Sequence, residues 1–335
     1  MSIFDPGQEL KLRPMRYPIF YSLYKASIKN TWFVEEIDFS KDIEDIEKRL
    51  SPAERHMLSR LIAFFATGDN IVQENLVLNL FKHIKAPEVK LYLARQIYEE
   101  ALHVDFYLTL LDNYLPDLSE REAAFDAVKN IPTVKKKADF SFKWMNFLND
   151  LEEVKSDEDK RKVLLNLIAF AACNEGLFFF GAFAYVYFLR SKGLLNGLAT
   201  GTNWVFRDES LHVTNAYELV KVVQQEYPYL FDSSMKNAVI EMMKEALDCE
   251  LTFAKDLLQG GVAGLSFADM RQYLEYIVDR RLELLGISPI YGHSRHPLSF
   301  MELQDIQELT NFFERNVSAY QLGIRQEELK FDEKF

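Results

Sequence analysis

Apolar residues recur at steps of three and four along most of the chain and alternate with period two in few places, the pattern of helices packed on helices. The expected fold class is therefore all-α. Ser51-Pro-Ala-Glu54 combines an N-cap, a proline at the first helical position and an acid three residues after the cap, so a long helix should start there and run to about Ile84. Ala86-Pro87 opens the next helix, and Leu115-Pro116 stops it. A shorter helical region follows, through the basic Lys135-Lys136-Lys137 stretch. A third long helix is expected from Lys160 to Arg190 and a fourth from near Thr200 to Glu226. After the Gly260-Gly261-Val-Ala-Gly264 turn, Ser266-Phe-Ala-Asp269 repeats the capping signature and opens a helix to about Leu285. From Ile287 the pattern is irregular, and from Gln321 to Phe335 the chain is charged and short of apolar periodicity, as a mobile tail would be. No short repeat and no clear linker interrupts residues 10 to 315. The expected organisation is one helical domain over 1–315, with an N-terminal arm, and a flexible tail over 316–335.

The four long helices carry carboxylates at mid-length. Glu100-Ala-Leu-His103 and Glu209-Ser-Leu-His212 are both Glu-x-x-His, and a three-residue step puts the two side chains on one helical face. Asp69 and Glu175 lie in the apolar segments Phe64-Phe-Ala-Thr-Gly-Asp69 and Glu175-Gly-Leu-Phe-Phe-Phe180, where an unpaired buried carboxylate would be costly. One acid from each of two helices and Glu-x-x-His from each of two others is the dimetal pattern of ferritin-like bundles. Oxygen-rich ligation with two imidazoles favours iron or manganese over a closed structural zinc site.

Composition narrows the functional class further. Lys and Arg number 39 against 51 Asp and Glu, and a formal net charge of -12 argues against broad, unaided binding to nucleic acid or anionic membrane. The two cysteines, Cys173 and Cys249, sit in apolar helical stretches, which suits a reducing cytoplasm rather than a disulfide framework. The Met1-Ser-Ile-Phe-Asp5 start lacks the regions of a signal peptide, and charged or polar residues break each long apolar run, so neither secretion nor membrane insertion is expected.

With these residues in view, the chain resembles the class I ribonucleotide reductase small (radical-generating) subunit from about Tyr17 to Phe335. Asp69, Glu100, His103, Glu175, Glu209 and His212 fall on that family's six metal-ligand positions, within GDNIVQENL, EEALHVDFY, NEGLFFFGAFA and RDESLH. The resemblance implies two metal ions per chain, diiron, dimanganese or mixed, bridged by Glu100 and Glu209. Tyr107 falls where the family carries its radical tyrosine, and Phe179, Phe183 and Val205 match the apolar residues that shield it. Asp208 matches the acid that hydrogen-bonds the ligand at His103. Asn311-Phe-Phe-Glu-Arg-Asn-Val-Ser-Ala-Tyr320 looks like the relay segment, which makes Tyr320 the residue for radical passage to the large subunit. The Phe331-Asp-Glu-Lys-Phe335 end resembles the acidic, Phe-ended peptide that docks there. The family usually has a tryptophan on its N-terminal helix, linked through the Asp208 position to the metal. Counting back from Trp32 puts Tyr21 at that place, with Tyr24 nearby, so Tyr21 is the expected inner relay residue. A homodimer in the cytoplasm, acting with a large subunit to supply deoxyribonucleotides, is implied. Two alternatives share part of the pattern: a ligand-binding oxidase of the same fold, which would need neither Tyr320 nor Phe335, and a ferritin-like iron-storage protein.

Overall fold

The computed structural model describes residues 2–5, 12–115 and 117–301. Within them the secondary structure is helical, apart from an isolated bridge between Val262 and Leu265. In chain order the main helices are α1 (Pro18–Lys29), α2 (Ser40–Lys48), α3 (Pro52–Asn75), α4 (Pro87–Tyr114), α5 (Leu118–Phe125), α6 (Ala127–Asn130) and α7 (Pro132–Asn146). There follow α8 (Asp157–Ile168), α9 (Asn196–Glu226), α10 (Ser233–Leu257) and α11 (Phe267–Leu284). Two of them continue through wider π-helical turns. The axis of α3 passes through Leu76–Leu80 into Phe81–His83, and that of α8 through Ala169–Phe179 into Phe180–Ser191.

Local chemistry explains most of the starts. Ser51 Oγ accepts from the Glu54 amide while the Glu54 carboxylate accepts from the Ser51 amide, and Pro52 fits the first turn. Ser266 and Asp269 do the same for α11. Ser156 and Asp159 form a third such box, which starts α8 three residues before the expected Lys160. The α9 helix begins at Asn196 rather than near Thr200, for a reason distant in sequence. Leu195 is left-handed (φ 52°), and the amides of Leu195, Gly197 and Leu198 donate to the carboxylates of Asp45 and Asp42 on α2. Two acids of another helix thus cap this one.

Four of these segments close into a ring: α3 packs on α4, α4 on α9, α9 on the π-helical part of α8, and that part back on α3. Around the ring, α1 lies along α4, α2 along α9, and α10 with α11 covers the outer side of the α8 π-helical stretch. Asp157–Ser191 is long and apolar enough to cross a membrane, but it lies buried in the middle of the bundle. Cys173 and Cys249 are both free and buried.

Candidate metal centre

The ring turns six ionisable side chains into its middle, all buried: Asp69 from α3, Glu100 and His103 from α4, Glu175 from the π-helical stretch, Glu209 and His212 from α9. Their donor atoms form two groups that share Glu100, Asp69–Glu100–His103–Glu209 and Glu100–Glu175–His212, with the atoms of each group within 4.8 Å of one another. Glu209 straddles the pair, its Oε1 lying 3.3 Å from His103 Nδ1 and its Oε2 3.4 Å from His212 Nδ1. Glu100 does likewise, at 3.7 Å from His103 Nδ1 and 3.2 Å from His212 Nδ1.

The π-helical stretch supplies Glu175. Gly176 is required beside it, because a Cβ there would stand 2.5 Å from the Ala171 carbonyl oxygen and 2.9 Å from Arg281 Nε. The Arg281 guanidinium donates to the Gly176 carbonyl across 3.0 Å, supporting the wider turn from outside.

Among the described residues, most of the inward atoms lack the partner that a buried polar group needs. Both Asp69 oxygens, Glu100 Oε2, both Glu209 oxygens and the Nδ1 atoms of His103 and His212 have no hydrogen bond. Burial, then the charges of Glu100 and Glu209, pushes the Asp69 carboxyl well above the usual range. Glu175 is pushed the same way by burial and by Glu209 and Glu100. At Glu100 burial acts upward too, but His212 and His103 more than reverse it and hold the group at about 2. Crowded oxygens and two inward nitrogens with no donor between them are the surroundings that a pair of divalent cations satisfies, and the donor set fits iron or manganese.

The outer faces of the imidazoles are held by carboxylates, which fixes the proton on Nε2 and leaves Nδ1 free to ligate. His103 Nε2 lies 3.4 Å from Asp208 Oδ2, and the same oxygen accepts from Trp32 Nε1 at 2.8 Å. The Trp32 ring stacks on His103, with 6.3 Å between centroids. The expected place of Tyr21 is corrected here. Tyr21 packs against Tyr24 on α1, whereas the residue that reaches Asp208 is Trp32. Counting back along a helix failed because α1 ends at Lys29; Trp32 lies beyond the turn, where its indole points inward. His212 Nε2 is held by Glu99 Oε2 at 3.0 Å, and Glu175 Oε1 accepts from Gln96 at 2.8 Å. Glu99 and Gln96 carry no motif of their own. Their signal is position, one residue and one turn before Glu100.

Tyr107, one turn beyond His103, is buried and stacked flat on Phe65, with centroids 4.8 Å apart and planes 5° apart. Phe179 and Phe183 pack on the Phe65 ring at 6.3 and 6.1 Å, and Val205 is buried on α9. The Tyr107 hydroxyl has no hydrogen-bond partner among the described residues. Burial, then the charges of Asp69, Glu209 and Glu100, pushes the phenol well above its ordinary range, so it keeps its proton. Tyr320 and the Phe331 to Phe335 end lie outside the described residues.

The model of the family described as "Ribonucleotide reductase, small chain" matches residues 9–297. The chain belongs to that family. The ribonucleoside-diphosphate reductase small chain of Plasmodium falciparum (isolate Dd2) is 34% identical over 310 residues, covering 92% of this chain and 82% of that one. Among solved structures, the ribonucleotide reductase R2 subunit from Clostridium botulinum superposes with a TM-score of 0.82 at 23% identity, covering 92% of this chain and 94% of that one. The Rnr4 homodimer of Saccharomyces cerevisiae superposes with a TM-score of 0.76 at 25% identity, covering 95% and 92%. The ribonucleotide reductase small-chain family places this protein among the oxidoreductases, as a subunit of the ribonucleoside-diphosphate reductase type with a ferritin-like helical fold. That membership ranks the reductase reading above iron storage and above a ligand-binding oxidase.

Proposed function

We propose that the buried cluster holds two iron or manganese ions and generates the oxidising equivalent that a large subunit uses to reduce ribonucleotides to deoxyribonucleotides. The observation that carries this reading is the set of partnerless oxygens and Nδ1 atoms turned toward one another inside the bundle. Asp69, Glu100, His103 and Glu209 would hold one ion and Glu100, Glu175, Glu209 and His212 the other, so that Glu100 and Glu209 bridge. When bound, the ions supply the redox chemistry by activating oxygen or an oxygen-derived oxidant.

The remaining work belongs to side chains. Tyr107 would give its electron and its Oη proton together to that oxidant, since a phenol held above its usual range does not ionise first. The Phe65, Phe179 and Phe183 rings keep water from the radical so formed. Asp208 orients His103 and ties it to Trp32, a hydrogen-bonded line between the cluster and the turn after α1, suited to drawing an electron inward as the oxidising equivalent moves outward. Tyr320 would carry the radical across to the large subunit, and the 316–335 tail ending at Phe335 would dock in an apolar pocket there. A homodimer in the cytoplasm is the expected setting, consistent with the homodimeric yeast relative.

Replacing Glu209 by Ala tests the site. The variant should lose at least one metal equivalent per chain while keeping its helical circular dichroism. Two equivalents with unchanged spectra would refute the assignment.

A further inference from the structure

We propose that Glu99 and Arg95 form a second outer support, which positions the His212 imidazole and sets the affinity of one metal position independently of the other. The inference rests on the two-metal reading above and adds residues that the ligand motif does not contain. Glu99 is wholly buried between two partners and gives one oxygen to each: Oε2 lies 3.0 Å from His212 Nε2, and Oε1 accepts from Arg95 Nε at 3.0 Å. Arg95 is fixed in turn. Its Nη2 donates to the Ser27 carbonyl at 3.3 Å and to Thr31 Oγ1 at 3.1 Å, and its guanidinium lies 4.7 Å above the Tyr98 ring.

The two imidazoles are therefore backed by different chemistry. His103 shares a single Asp208 oxygen with a neutral indole donor, at 3.4 Å. His212 has a carboxylate oxygen to itself at 3.0 Å, and a cation holds the other oxygen of that carboxylate. Both supports end on neighbouring residues, Thr31 and Trp32, at the turn after α1. The geometry follows from the pair Glu99-Glu100 on α4. Consecutive helical residues diverge by about 100°, so Glu100 enters the cluster while Glu99 reaches behind the imidazole presented by α9. A carboxylate behind a ligating imidazole fixes its ring and raises its basicity, and losing such a partner weakens a metal site by about 10- to 100-fold.

The test is a titration of metal-free, full-length protein with manganese(II), following free ion by electron paramagnetic resonance. Glu99→Gln should weaken one of the two equivalents by about 10- to 100-fold and leave the other near its wild-type affinity. Asp208→Asn should weaken the other equivalent, and the double variant should weaken both, because supports for separate ions act additively. Arg95→Met touches neither imidazole and should give the same selective loss in smaller measure. It also carries the test should Glu99→Gln fail to keep its helical circular dichroism. Unchanged affinity in both Glu99→Gln and Arg95→Met, a joint loss of both equivalents in either, or a double variant no weaker than the weaker single would overturn the proposal. Fewer than two equivalents in the wild-type chain would instead overturn the two-metal reading, and the support with it.

Discussion

A buried ion pair beside the Tyr107 pocket should act as a unit, so that losing one member costs more than losing both. Lys137 Nζ lies 2.8 Å from Glu250 Oε2, and the two side chains are 2% and 1% exposed. The ammonium also sits over the Phe64 ring at 3.4 Å and near Phe253 and Phe178 at 4.3 and 4.8 Å. Burial pushes the Lys137 ammonium down and the Glu250 carboxyl up, and the attraction between the two charges opposes both shifts. Lys137→Met leaves a bare carboxylate in the core, and Glu250→Met a bare ammonium, each costing about 3–5 kcal/mol. At roughly 2–4 °C per kcal/mol, the melting temperature of either variant should fall on the order of 10 °C. The double variant removes both charges and should recover most of that loss, short of about 2 kcal/mol for the missing cation–π contact. Thermal unfolding of the three variants, followed by circular dichroism, measures the coupling. Singles that melt with the wild type, or a double variant as unstable as the two losses combined, would refute the reasoning. The pair bears on function because Phe64 packs on Phe179, 5.1 Å between centroids, in the wall of the Tyr107 pocket.

Trp32→Phe should keep both metal equivalents but lose turnover with the large subunit, whereas Tyr21→Phe should keep both; metal analysis and a coupled activity assay separate them. Deleting Phe331 to Phe335 should weaken association so that activity recovers at high large-subunit concentration, while Tyr320→Phe should bind normally and stay inactive. Titration of each variant with the cognate large subunit, reading affinity and turnover together, checks both halves.

Helices with local signals were legible from the residues alone. Ser51-Pro-Ala-Glu54 and Ser266-Phe-Ala-Asp269 start helices because their caps lie within four residues. The start of α9 was not legible, since Asp42 and Asp45 cap it from 150 to 156 positions away. The π-helical turns around Glu175 were hidden for a related reason. Their register is set by packing and by a guanidinium from α11, while the stretch itself is apolar apart from Asn174 and Glu175 and carries no period. At the site, the two Glu-x-x-His steps announced themselves because three residues bring both side chains to one face. Glu99 and Trp32 act across helices, so nothing in their own spacing marked them, and the four-residue step from Arg95 to Glu99 looks like any ion pair along a helix. The misplacement of Tyr21 has the same origin: a helical count was carried through a turn that ends the helix at Lys29.

The central claim is that this cluster takes two metal ions and oxidises Tyr107. The most direct measurement is electron paramagnetic resonance of the metal-loaded protein after exposure to its oxidant, on the wild type and on Tyr107→Phe, with metal counted in the same samples. The account predicts two metal equivalents in both proteins and a tyrosyl radical in the wild type that is absent from Tyr107→Phe. Fewer than two equivalents in the wild type, or the same radical spectrum persisting in Tyr107→Phe, would contradict it.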